Sequence, residues 1–233
     1  MVHTNRLTAL AIAVCAAASI GAQPSGPERE SDGGATVGLP PPDTAGSVTV
    51  ERAIAERRSI RRYAPGALSL AELGQLLFAA QGVTEARTGY RASPSAGATF
   101  PLELYAAVGE VNGLAAGLYR YVPASHELVL VNSDDPRDAL YGAALRQPMI
   151  RDAPVVLVMA TVTARTAERY GARAERYVAM EAGHASQNVY LQATALGLGT
   201  VAVGAFDDRS IARALSLPDG EDPLYLMPVG RRE

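Results

Sequence analysis

The chain has 233 residues, a formal net charge of −3, and a composition 48% hydrophobic and 19% charged. That length suits one sizeable domain rather than two, and the mildly acidic balance argues against a nucleic-acid-binding protein. One cysteine, Cys15, and three scattered histidines, His3, His126 and His184, without HExxH or Cys/His spacing, argue against a disulfide framework and a metal site.

"MVHTNR" and the small, apolar "LTALAIAVCAAASIGA" read as an export signal over residues 1–22, with Ala22 at the cleavage position. The run is short for a membrane span. Soluble export, periplasmic or secreted, ranks ahead of lipid anchoring. Membrane contact is expected only if Cys15 carries a lipid, and Val14 fits such a motif poorly. Residues 23–46 are rich in Gly, Pro and Ser and read as a flexible linker, so the folded domain is expected over 47–233.

"TVERAIAER" (49–57) predicts a short helix capped by Thr49. Arg57, Arg58, Arg61 and Arg62 then crowd around Ser59. Such a run is usually a solvated face. Arginine also binds phosphate through paired, charge-assisted hydrogen bonds, so a small anionic ligand is the other reading. "SLAELGQLLFAAQG" (69–82) predicts a second helix, with Ser69 and Glu72 as a capping box and Leu70, Leu73, Leu76, Leu77 and Ala80 as its apolar stripe.

Segments 102–109, 117–122 and 127–131 read as an antiparallel meander, and 154–161 as a strand buried on both faces. A long helix is expected over 173–197, with Ala179, Ala182, Gly183 and Ser186 as small residues and Glu181, His184, Gln187 and Asn188 as polar ones. A strand over 199–206, a helix over 208–216 and a strand over 223–230 complete the pattern. Uneven alternation makes the class α+β. "GLGTVA" (197–202) follows a helix and opens a strand, the reverse of a dinucleotide fingerprint.

"RRSIRRY", "SPSAGATFPLELY", "GLYRYVPASHEL", "EAGHASQNVYLQATALGLGTVAVGAFDD" and "LYLMPVGRR", in that order, resemble the FMN-dependent nitroreductase superfamily. The branch most similar is that of the SagB/ThcOx-type dehydrogenases, whose best-known members oxidise azoline rings. The resemblance implies an α+β fold with a central, mainly antiparallel sheet flanked by helices, in an intertwined homodimer with FMN at the interface. It implies an oxidoreductase that moves hydride between flavin N5 and small molecules, with NAD(P)H as candidate donor.

By the same resemblance, Arg57, Arg58, Ser59, Ile60 and Arg61 form the cofactor motif, with Arg57 and Ser59 at the phosphate and ribityl end and Arg61 at the pyrimidine edge. Arg62 has no family role and is expected to face solvent. Pro94, Ser95 and Ala96 come from the other subunit. Ala202, Val203, Gly204 and Ala205 run beside N5, and Arg231 or Arg232 supplies a C-terminal phosphate ligand. The sequence departs from many nitroreductases at Ala98 and Phe100, where Asn and Gln are common. No catalytic side chain is assigned. The Lys/Tyr pair of azoline oxidases has no counterpart, since the folded part contains no lysine; Tyr170 and Tyr177 remain unassigned. A non-catalytic, exported flavin-binding or interaction module, and a phosphate-binding protein without flavin, stay open as alternatives.

Overall fold

The computed structural model describes residues 34–233; the expected leader with Cys15, and residues 23–33 of the expected linker, lie outside the described residues. The first element is β1 (Thr36–Gly38). α1 (Val50–Glu56) starts at Thr49, whose hydroxyl accepts from the Arg52 amide at 3.2 Å. β2 (Tyr63–Ala64) and β3 (Leu68–Ser69) flank the Pro65–Gly66 turn. α2 (Leu70–Gln81) opens with the expected capping box: Ser69 Oγ accepts from the Glu72 amide at 3.2 Å, and Glu72 accepts from the Ser69 amide at 2.7 Å. β4 (Val83–Glu85) and β5 (Tyr90–Arg91) pair antiparallel. Then come β6 (Leu102–Val108), β7 (Val111–Asn112), β8 (Gly117–Val122) and β9 (Glu127–Asn132). α3 (Arg137–Ala143) and α4 (Pro148–Asp152) lead to β10 (Val155–Thr161). α5 (Thr163–Tyr170) precedes the long α6 (Ala174–Ala195), followed by β11 (Leu198–Thr200), α7 (Asp208–Ala214) and β12 (Asp222–Arg232).

The central sheet has the order β1-β9-β8-β6-β10-β12-β11, with β2 on the end of β12, and its strand pairs are antiparallel. The meander β6-β8-β9 is the expected one. Period-two alternation divides the core between two faces. Leu102, Leu104, Ala106 and Val108 of β6, with Val155, Leu157 and Met159 of β10, pack under α2 and α6. Tyr105, Ala107, Val156, Val158 and Ala160 face Leu140, Met149, Ile150 and Ile211 of α3, α4 and α7. Helices on both faces explain why β10 is buried along its whole length.

Two expectations are corrected. The segment expected as linker is ordered structure from Thr36 onward: β1 pairs with β9, Leu39 is buried, and the Leu39 amide donates to His126 O at 3.1 Å. Beyond it, Pro40 O lies 3.0 Å from His126 Nε2, and the Gln75 side chain grips the Asp43 amide and carbonyl at 2.8 and 2.9 Å. An edge strand held by backbone bonds needs no apolar alternation, so its composition resembles a linker's. The strand expected over 199–206 stops at Thr200. Thr200 faces Val229 and Val203 faces Leu226, a register that sets Val201 opposite Pro228. Proline has no N–H to continue the ladder.

Candidate functional site

After α1 the arginine run lies along the open edge of β11. The Ile60 amide donates to Thr200 O at 2.9 Å. Ile60 packs directly over Gly199, where a Cβ would come within 2.6 Å of Ile60 Cγ2, so only glycine admits this close approach. Tyr63 pins the run from below, donating toward Ile60 O at 3.2 Å and Pro228 O at 3.0 Å. Burial, above all, pushes the Tyr63 phenol well above its usual range, so it stays a donor.

The arginines have separate fates. Arg57 stacks over the Tyr190 ring at 5.2 Å. Arg58 turns back and donates to Ala55 O and Arg57 O at 3.0 and 2.8 Å, closing the end of α1. Of the expected cofactor residues, it is the one spent on its own helix. Arg61, Arg62 and Arg232 line a recess of ≈350 Å³ with Ser59, Ile60 and Glu233. Arg62 is exposed, as expected, and its Nε lies 3.4 Å from Glu233. Alternation along β12 sends the last two arginines to opposite sides. Arg231 forms a bidentate pair with Glu72, with one contact at 2.8 Å, and donates to Ala67 O at 2.9 Å. Burial pushes the Glu72 carboxyl up, but Arg231 and the Ser69 amide and hydroxyl outweigh it and hold it below the usual range. Between the two C-terminal candidates, Arg232 reaches the recess and Arg231 is neutralised inside the fold. Among the described residues, no carboxylate pairs with Arg57, Arg61 or Arg232.

Tyr190, on α6, ties this edge together. Its hydroxyl accepts from the Ala202 amide at 2.8 Å and lies 3.1 Å from Ser59 Oγ. Val203 is locked to Leu226 by two backbone bonds of 2.9 Å, and Gln147 Nε2 donates to Ala205 O at 3.1 Å. Gly204 and Ala205 are exposed, and their amides have no hydrogen-bond partner among the described residues. Arg57, Ser59, Ile60 and the 202–205 segment are therefore joined at one edge, with Arg61 and Arg232 beside Ser59. Sequence reasoning missed Tyr190 because it reads as one more large residue in a long helix.

The Pro94–Ala96 loop lies elsewhere. Pro94 is exposed; Ser95 Oγ accepts from the Phe100 amide at 2.9 Å. Gly97, Ala98 and Phe100 all adopt positive φ, at 61°, 54° and 43°. A Cβ at Gly97 would meet Tyr170 Oη at 2.6 Å, which gives Tyr170, the last residue of α5, a packing role against the loop. Tyr177 meets Tyr170 edge to face at 5.0 Å. Thr99 and Thr166 share a 2.8 Å hydrogen bond, and Arg165 donates to Phe100 O at 3.1 Å.

Under the loop sits Glu181, 2% exposed. Burial pushes its carboxyl up to about 7, against the opposing pull of Ser95, Arg91 and Gln81. Glu181 Oε1 and Gln81 Nε2 are both buried without a geometrically complete hydrogen bond. Asn188 is satisfied, donating to Ala79 O at 3.0 Å and Ser93 Oγ at 3.2 Å. Of the small residues on α6, Ala182 and Ser186 are buried, whereas Ala179 and Gly183 are exposed beside Met180, His184 and Gln187. No hydrogen bond or ion pair joins the Pro94–Ala96 loop to the arginine run among the described residues. No group of three or more His, Cys, Asp or Glu among the described residues could hold a metal ion.

A model of the nitroreductase family matches residues 54–231, which hold every piece of this edge except Arg232. A nitroreductase-named protein of Methanocaldococcus jannaschii is 49% identical over 185 residues, 79% of this chain and 92% of its own length. A nitroreductase-named crystal structure from Ralstonia eutropha is 31% identical, with a TM-score of 0.76 over 91% of this chain and 96% of that one. Another, from Anabaena variabilis, is 32% identical with a TM-score of 0.70, over 79% of this chain and 38% of that longer one. The chain belongs to the nitroreductase family of oxidoreductases.

Proposed function

We propose that the chain is an FMN-dependent oxidoreductase that takes hydride from a reduced donor, NAD(P)H, and delivers it to an electron-poor small molecule in a ping-pong cycle. One observation carries this reading: Arg57, Arg61 and Arg232, without carboxylate partners among the described residues, gather with Ser59 at the edge that also presents the open Gly204 and Ala205 amides, in a chain of net charge −3. A phosphate ester calls for fixed positive charge and directed donors, and a flat heterocycle calls for backbone it can approach closely. The residues present fit both ends of FMN. Bound FMN supplies the hydride chemistry at N5. Arg57 and Ser59 would hold the phosphate and ribityl end, with Arg232 as the C-terminal phosphate ligand. Arg61 would sit at the pyrimidine edge, where positive charge favours the electron-rich ring. The Gly204 and Ala205 amides would donate near N5.

The reading includes a homodimer in which the Pro94–Ala96 loop of a second copy closes the flavin site. It places the chain near the SagB/ThcOx-type dehydrogenases, since Ala98 and Phe100 stand where many nitroreductases carry Asn and Gln. Azoline oxidation through a Lys/Tyr pair is left out, because the folded part has no lysine. Export, as the leader suggests, separates the enzyme from cytosolic NAD(P)H and makes the natural donor the first thing to identify.

The test is anaerobic mixing of the FMN-loaded protein with NADH, NADPH or dithiols, followed by an electron-poor acceptor. Bleaching of the flavin bands and their return on adding acceptor are expected. Flavin that no donor bleaches would overturn the enzymatic reading. That outcome favours flavin binding without turnover, a second reading motivated by the loop itself: Ala98 has no functional group, and Phe100 is 4% exposed beneath the Arg91 guanidinium at 4.6 Å.

A further inference from the structure

We infer that Tyr190 is the positioning residue of the anion site, and that its hydroxyl orients Ser59 as a donor to a phosphate ester. The argument is one of proton direction. The Ala202 amide can only donate, so Tyr190 Oη accepts its bond at 2.8 Å. A phenol has one proton of its own, and its other hydrogen-bond neighbour is Ser59 Oγ at 3.1 Å. If Ser59 donated to Tyr190, the phenol proton would have no acceptor among the described residues. If Tyr190 donates to Ser59, the phenol proton has an acceptor and the Ser59 proton is the one left for an outside acceptor. Both arrangements make two bonds and leave one proton over; the second leaves it on Ser59, which is exposed, and not on the half-buried phenol, so it strands no buried donor.

The direction of this relay, from Ala202 through Tyr190 to Ser59, matters because of where Ser59 lies. Ser59 lines the recess that holds Arg61, Arg62 and Arg232. A serine hydroxyl that accepts from Tyr190 keeps its own proton to offer into the recess, and a donor beside fixed positive charge suits an oxyanion. The same ring carries Arg57 on its face at 5.2 Å, so one side chain sets the end of α1, Ser59 and Ala202 relative to each other. Thr194 Oγ1 donates to Tyr190 O at 2.8 Å on the last turns of α6. The inference rests on the flavin reading for its natural ligand, but its chemistry requires only a phosphate group.

The experiment uses the full chain, its Tyr190→Phe and Ser59→Ala variants and the double variant, titrated with FMN, riboflavin and inorganic phosphate. Each single variant is expected to weaken FMN about tenfold, the loss of one charge-assisted hydrogen bond. The double variant should be no weaker than either single, and riboflavin affinity should not change. Tyr190→Phe keeps the ring under Arg57, and Ser59 is exposed, so Ser59→Ala keeps the test alive should the phenylalanine variant fold poorly. Unchanged FMN affinity in Tyr190→Phe, with or without a lower melting temperature, overturns the inference, as do additive losses or an equal loss of riboflavin. If the wild type binds phosphate but not FMN, and Tyr190→Phe weakens phosphate, the relay stands and the flavin reading falls. If the wild type binds neither, both fall.

Discussion

Glu181 and Tyr190 stand nine residues apart on α6, a separation of about 13.5 Å along the helix axis, and they represent two opposite uses of a polar group. Glu181 lies in the interior under the Pro94–Ala96 loop, with one carboxylate oxygen unmatched and its ionised form disfavoured by burial. Tyr190 lies at the sheet edge, with its hydroxyl matched to Ala202 and Ser59 and its ring face matched to Arg57. The first station loads the fold with a cost that depends on pH. The second organises exposed donors at little cost. The contrast teaches that a buried polar group on this helix is costly where its bonds are incomplete, whereas at the edge proposed to hold the ligand the phenol's bonds are matched.

The largest expected effect would break the comparison at Glu181. Its folded value of about 7 lies above the ordinary 4.5. Below about pH 4.5 the group is protonated in both states and costs nothing. Between the two values only the unfolded state releases the proton, so stability falls as pH rises, and above pH 7 the full penalty applies. Glu181→Gln is expected to flatten this slope and to be more stable than the wild type at pH 8 by up to about 3 kcal/mol. Urea unfolding of both proteins across this range checks it; parallel slopes would show that Glu181 is ionised without penalty.

A smaller effect sharpens the distinction between an arginine held in the fold and one held for a ligand. Arg231→Ala strands the half-buried Glu72 carboxylate and is expected to cost about 2 kcal/mol, discounted for partial exposure. Arg232→Ala, one residue on, is expected to leave the melting temperature within a degree or so and to weaken FMN. Calorimetry and flavin titration of the pair read both axes; equal loss of stability in the two variants would contradict the assignment. Smaller still, Arg57→Ala is expected to weaken FMN about tenfold, whereas the exposed Arg62→Ala changes it little. Matching affinities for these two variants would mean that the run acts only as a diffuse positive patch.

Much of the frame was legible because it follows local rules. Ser69 and Glu72 announce α2 through their spacing, β6, β8 and β9 through the short turns between them, and α6 through its length. The elements that escaped are those whose cause lies elsewhere in the chain. β1 exists because β9 offers a bare edge, and the 201–202 break exists because Pro228 stands opposite. α3, α4 and α5 are five to eight residues long and have no side-chain cap; Pro148 at the start of α4 and Gly171 at the end of α5 are single signals on segments too short to show a helical period. At the site, the run Arg57–Arg61, the 202–205 segment and a C-terminal arginine were readable as motifs. The choice between Arg231 and Arg232 depends on the parity of β12 and the position of Glu72. The retreat of Arg58 depends on where α1 ends, and the role of Tyr190 on two segments that meet only in three dimensions.

The central claim is that the arginine-lined edge holds FMN. Its most direct measurement is titration of the purified, cofactor-stripped protein with FMN, followed by absorbance and by analysis of the bound fraction after desalting. The account predicts saturable binding of one FMN per chain that survives desalting and is weakened in Arg57→Ala. A protein that stays colourless after FMN addition, or that retains flavin equally with and without Arg57, would contradict it.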